Sequence, residues 1–259
     1  MLYQQSIRTI PKVHLDHWSF AIIGGVRQPL ILSYDDLLTF STQTIRCTIA
    51  CAGVSRDRPL IGEAVWCGVP LQTLLDELVV APEVRFARIH AADGYTAVLP
   101  LDRLAGTFLA YEMDGAPLPP EHGFPARLIA PGLFGYKMPK WIERIELSGS
   151  SDGGFWEARG FSLEGDAAIR VALLSHDQAI SGTISLSGIA YAGTHRVTSV
   201  QVSIDDGDWM PVPFTQDDPV ALAHWQIDWT PPDADAHHVR ARASDGILDA
   251  EHDLVIRSR

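Results

Sequence analysis

The residues with chemistry to offer fall in two stretches. Cys51 closes the run Thr-Ile-Arg-Cys-Thr-Ile-Ala-Cys-Ala-Gly over residues 44–53. Apolar and polar side chains alternate through its first half, which predicts a strand, and Gly53 lets the backbone turn sharply after it. A thiol at the exit of a strand can face a cleft and serve as a ligand; the plain alternative is a buried, inert sulfur. The second stretch carries His122, Arg127, Lys137 and Lys140 among prolines and glycines. In a chain of formal net charge −12, that concentration of positive groups points to a bound anion such as a phosphate. Arg56 and Arg58 follow Cys51 and read either as solvated arginines or as an anion-facing pair.

Several elements must position these groups. Residues 13–25 read as an N-terminal strand, with Trp18, Phe20 and Ile22 towards one face. Ser33 can cap a helix whose first turn holds Asp35 and Asp36, where the helix dipole favours negative charge. Pro70 suits a first helical position, and Leu71, Leu74, Leu75 and Leu78 make a buried stripe. Residues 84–89 and 95–99 form a strand pair around Asp93-Gly94, and Asp114-Gly115 closes a hairpin. The prolines from Pro117 to Pro125 hold the backbone extended without helix, so His122 and Arg127 are presented at little entropic cost. A strand at 128–130, a glycine-bearing loop at 131–141 and a strand at 141–147 follow. From about residue 167 the texture changes to short alternating strands at 169–174, 182–189, 197–204, 225–229 and 238–243, the pattern of an antiparallel sandwich.

Composition narrows the function classes. The 259 residues suit two domains, and 46% hydrophobic with 20% charged residues is ordinary for a globular protein. The acidic balance argues against nucleic acid and anionic lipid as partners. Cys47, Cys51 and Cys67 make no disulfide framework, and Cys67, beside a tryptophan and a glycine, reads as core packing. No Cys-x-x-Cys or His-x-x-x-His pattern supports a zinc site, and no Cys-x-x-Cys-His supports a covalent haem. No export signal or membrane-span window stands in the sequence. The expectation is a cytoplasmic protein, or an extracytoplasmic one if the N-terminus is truncated.

Six short motifs in order carry a resemblance: Cys51-Ala-Gly, Trp66-x-Gly-Val, Glu112-Met-Asp-Gly-x-Pro-Leu-Pro, His122-Gly-Phe-Pro-x-Arg127, Pro131-Gly and Lys140-Trp141. Together they resemble the sulfite oxidase family of molybdenum enzymes, nearly end to end. The resemblance implies an α+β molybdopterin-binding domain over residues 1–162 and an immunoglobulin-like β-sandwich of dimerisation type over 163–259. It implies a molybdenum–molybdopterin cofactor with Cys51 as the one protein ligand to the metal, and no haem in this chain. A soft thiolate suits such a metal. His122, Arg127, Met138, Pro139 and Lys140 match positions that hold the pterin and its phosphate; Lys137 adds charge beside them, and Asp93 is a further pterin contact. Arg56 and Tyr95 are the candidates for the substrate side.

The chain also departs from the family pattern. Val54-Ser55 replace Asn-Arg after the ligand cysteine, Ala158 stands at the place of an active-site tyrosine, and Gln5 falls near that of an N-terminal arginine. These changes weaken the case for sulfite more than the case for the cofactor. The expected activity is two-electron oxygen-atom transfer on a small oxyanion or an S- or N-oxide, with oxidation or reduction both open. Electrons would pass to a separate carrier protein or membrane subunit, and the resemblance of the sandwich to the family's dimerisation domain suggests, by analogy, a homodimer. A scaffold that has lost turnover and serves as a binding or electron-relay subunit is the alternative from another class; a β-rich binding protein without metal is the third.

Overall fold

The computed structural model of the protein describes residues 2–53, 60–178, 182–233 and 235–257. Residues up to Ala52 and from Ile61 to Asp166 form one compact unit, and those from Ala167 onward form a second.

The first unit is built on two sheets. In one, the strands run in the order Leu30–Ser33, Ser19–Gly24, Ile142–Ser148, Phe86–Ala91, Thr96–Pro100. Ser19–Gly24 pairs in parallel with Ile142–Ser148, and the other neighbours are antiparallel. In the other sheet the order is Gln43–Ala50, Ile61–Pro70, Phe108–Met113, Ala116–Pro117, with Arg127–Ile129 also paired to Phe108–Met113. Inward side chains such as Phe20, Ile22, Trp66, Leu109 and Ile145 share one apolar core. Each fully buried large side chain of this kind contributes roughly 1.5–3 kcal/mol. Leu2 packs into that core and Tyr3 lies against it, which fixes the start of the chain.

Local chemistry explains most of these elements. Ser33 and Asp36 form a reciprocal capping box that starts the short helix Tyr34–Leu37. Asp114 and Gly115 both take positive φ, as a two-residue hairpin with native twist requires. Three expectations need correction. Residues before Ser19 are not strand; they hold a 3-10 turn at Leu15–His17, and Trp18 anchors the entry by donating its indole N–H to the Ile142 carbonyl at 3.0 Å. The helix after Pro70 spans only Leu71–Leu75; Leu71 and Leu74 are buried, and Leu75 and Leu78, the latter beyond the helix, pack partly buried against the same core. The proline-rich segment is not wholly extended: Pro120–His122 closes a 3-10 turn, with Pro at its first position where no N–H is needed. Helix is sparse in this unit, so the α+β expectation resolves into a sheet-dominated domain with short helices.

The second unit holds two antiparallel four-stranded sheets. One is ordered Arg170–Gln178, Ile184–Tyr191, Ala223–Trp229, Phe214–Thr215; the other Met210–Pro211, Ser199–Ile204, Ala236–Ser244, Asp249–Arg257. Val171, Leu186 and Trp225 from the first meet Val200, Val202 and Ala241 from the second in a single core. Among the described residues no helix is long and apolar enough to cross a membrane.

Candidate cofactor site

Strand Gln43–Ala50 delivers Cys51. The last four residues of the strand are buried, and Ala50 makes a parallel bridge to Phe134, which brings the loop after Pro131 alongside the cysteine. Cys51 is a free, half-buried thiol that donates to Gln5 Oε1 at 3.3 Å. Tyr3 stands beside it. Burial raises the Tyr3 phenol pKa well above its ordinary value, the neighbouring Cys51 raises it further, and Arg127 opposes them.

Arg127 opens strand Arg127–Ile129 and is only 5% exposed. Its Nη1 donates to the His122 carbonyl at 3.0 Å and its Nη2 to the Met138 carbonyl at 3.3 Å. The Trp66 ring faces the guanidinium at 5.1 Å, a cation–π contact that steadies the charge without neutralising it. Nε is buried with no hydrogen-bond partner among the described residues. Burial lowers the pKa to about 10, partly offset by the Tyr3 and Cys47 acids, and no Asp or Glu among the described residues forms an ion pair with it. Cys47 is the inert sulfur of the pair on this strand: fully buried, with burial pushing its thiol up to about 12.

His122 and Lys140 complete the positive cluster. Gly123 follows His122 with φ +115°, and a Cβ there would stand 3.0 Å from the Arg127 Cβ and 3.1 Å from the Lys140 Cβ. Glycine is what lets the two side chains flank this turn. Lys140 Nζ donates to the Glu121 carbonyl at 2.8 Å and lies over the Trp141 ring at 4.3 Å. Burial and then Arg127 lower the Lys140 pKa to about 8; the same two causes lower that of His122. Each cation disfavours the other, and their hydrogen bonds end on backbone carbonyls. An anion with several acceptor oxygens, such as a phosphate monoester, would relieve both the repulsion and the unpaired Arg127 Nε. The residues present thus fit the terminal phosphate of a pterin cofactor.

The remaining candidates divide. Met138 and Pro139 belong to the cluster through their carbonyls, which accept from Arg127 and from the Leu128 N–H. Asp93 is buried, accepts from the Tyr95 N–H at 2.9 Å and is close enough to Lys140 to raise its pKa. Lys137 is placed elsewhere: its Nζ is fully buried between Glu157 Oε1 and the Val98 carbonyl. Tyr95 turns its hydroxyl to the Tyr136 carbonyl at 2.7 Å and packs on Phe155, with burial raising its pKa. Arg56, with Val54 and Arg58, lies outside the described residues. Ala158 sits in the 3-10 turn Glu157–Arg159. Sequence reasoning missed Tyr3 and the part of Gly123; the first has no local signal, and the second could have been found from a glycine between two basic residues.

Residues 7–156 match the model of the oxidoreductase molybdopterin-binding domain family. The chain belongs to the sulfite oxidase family of molybdopterin oxidoreductases. Among its family relatives, the uncharacterized oxidoreductase YuiH of Bacillus subtilis (strain 168) is 37% identical over 152 residues, 58% of this chain and 74% of that protein. Mitochondrial sulfite oxidase of Homo sapiens is 30% identical over 246 residues, which are 76% of this chain but 45% of the human protein. The chain therefore spans less than half the length of that relative. Among solved structures, the sulfane dehydrogenase SoxCD of Paracoccus pantotrophus superposes with a TM-score of 0.79 at 25% identity, covering 92% of this chain and 69% of the other. The family membership makes the cofactor a molybdopterin and the protein an oxidoreductase of that class.

Proposed function

We propose that the protein performs two-electron oxygen-atom transfer on a small sulfur or nitrogen oxo compound, with Cys51 as the protein ligand to molybdenum. The observation that carries the cofactor reading is Arg127: a buried guanidinium with an unpartnered Nε, set beside a lysine and a histidine that its own charge disfavours. His122, Arg127 and Lys140 hold the phosphate end of the cofactor, with Asp93, Met138 and Pro139 around it. Cys51 ligates the metal. When bound, the molybdenum–molybdopterin group supplies the two-electron change and the oxygen exchange. The chain's own part is to fix that group between a thiolate and a cationic cradle and to present Gln5 and Tyr3 beside the sulfur.

The bookkeeping requires an electron partner. Oxidation of sulfite takes up one water and releases two protons and two electrons; reduction of an S- or N-oxide runs the other way. A separate carrier protein or a membrane subunit must take or supply the electrons. Reduction of a neutral oxide is favoured by one detail, since the side chain whose amide lies 3.3 Å from the Cys51 sulfur is the uncharged Gln5. The second unit, read as an immunoglobulin-like dimerisation domain, would join two copies.

Metal analysis tests the reading. The protein from a host that makes the cofactor is expected to carry about one molybdenum per chain, and Cys51→Ser to lose it while Cys47→Ser keeps it. Dye-linked turnover with sulfite, S-oxides and N-oxides then fixes substrate and direction. A metal-free native protein would contradict the proposal.

A further inference from the structure

Tyr3 carries a half-buried polar group that the cofactor cradle does not use. Its side chain packs against the core of the first unit, anchored by its buried neighbour Leu2. Its hydroxyl reaches the loop at Gly135, one residue past the bridge between Phe134 and Ala50 and so next to Cys51 in the fold. A Cβ at Gly135 would stand 2.8 Å from that hydroxyl, so the loop leaves room for it only because the residue is glycine. The Tyr3 ring feels the charge of both Cys51 and Arg127. Among the described residues the hydroxyl makes no hydrogen bond, whereas Tyr95 and Tyr136 each donate to a backbone carbonyl. A half-buried phenol held beside the metal-ligand thiol, with its proton committed to no described residue, is free to donate to the oxygen of a molecule bound there.

We propose that the Tyr3 hydroxyl is a substrate-contacting and specificity-determining group, a hydrogen-bond donor to an oxygen atom of the molecule oxidised or reduced at the Cys51 face. The inference rests on the cofactor reading above. Gln5, hydrogen-bonded to Cys51, stands on the same side, so the described part of the face offers neutral hydrogen-bonding groups to the oxygen of an oxo compound.

The test is Tyr3→Phe, which removes one oxygen and keeps the ring. Molybdenum and pterin content and the melting temperature are read first, then the affinities for sulfate and for dimethyl sulfoxide, by titration of the visible absorption of the loaded protein. Y3F is expected to keep molybdenum, pterin and melting temperature and to bind about tenfold more weakly whichever probe the wild type binds, the effect of one lost hydrogen bond to a polar or charged oxygen. Gly135→Ala, which drives a methyl against the hydroxyl at 2.8 Å and against Ile49 Cγ2 at 3.0 Å, should weaken binding as well, and the part due to the hydroxyl should vanish in the Y3F background, so that the double variant loses less than the sum. Wild-type affinity in Y3F, a wild type that binds neither probe, or fully additive losses in the double variant would overturn the assignment. Loss of pterin or molybdenum in Y3F would also overturn it, by making Tyr3 a cofactor-holding residue. Absence of molybdenum from the wild type would instead remove the reading beneath it.

Discussion

Two cations are buried in the first unit, and they are treated in opposite ways. Lys137 is completely enclosed and its ammonium is met by the Glu157 carboxylate and the Val98 carbonyl. Arg127 is nearly as enclosed and is met by two carbonyls and a tryptophan face, but by no carboxylate among the described residues. A buried charge without a counterion is costly, and a folded protein that keeps one has a partner to supply the opposite charge. For Lys137 the partner is part of the chain, so the pair serves the fold. For Arg127 it must come from outside, and the weakened basicity of Lys140 and His122 beside it says the same. In an acidic protein, a buried guanidinium that no carboxylate among the described residues pairs with, set beside two further basic groups, marks the ligand.

The largest effect should separate the two cations outright. Lys137→Met leaves Glu157 buried without its partner and should cost about 3–5 kcal/mol of stability in denaturant unfolding, with part recovered in Lys137→Met/Glu157→Gln. An equal loss from Arg127→Met in cofactor-free protein would break the comparison, because it would make Arg127 structural too. Next in size is Gly123→Ala. The left-handed φ and the two crowded Cβ atoms predict a loss of about 1–2 kcal/mol and weaker pterin retention. Gly160→Ala, at a similar φ but in open space, should cost stability alone.

The smallest effect is a pH slope. The folded pKa of Lys140, about 8, lies below its unfolded value, so the unfolded chain binds more protons between them. Stability of the cofactor-free protein should therefore rise as pH increases from about 8 to about 10, and Lys140→Met should flatten that rise. A bound phosphate should flatten it as well, since an anion restores the lysine's charge. A slope that survives the cofactor would place the phosphate away from Lys140.

Much of this was readable in the sequence where the controlling chemistry is local. The strand leading to Cys51, the Ser33 cap and the turns at Gly94 and Gly115 follow from neighbours a few residues apart. The grouping of His122, Arg127 and Lys140 followed from charge in an acidic chain and from family motifs. What sequence did not separate was Lys137 from Lys140. Both are lysines in one glycine-bearing loop, and the difference is a carboxylate twenty residues downstream that folds back onto one of them. Tyr3 was silent for a related reason, since its meaning lies in contacts with residues far along the chain. The end of the helix at Leu75 and the 3-10 turn at Pro120–His122 depended on how much burial tertiary packing asked for, which periodicity does not record.

The most direct measurement is the pterin content of Arg127→Met beside Lys137→Met, each purified from a host that makes the cofactor and normalised to folded protein. The account predicts that R127M folds and comes without pterin, while the folded fraction of K137M keeps it. Full pterin occupancy in R127M would show that the buried guanidinium does not hold the cofactor's phosphate, and the site would have to be sought elsewhere.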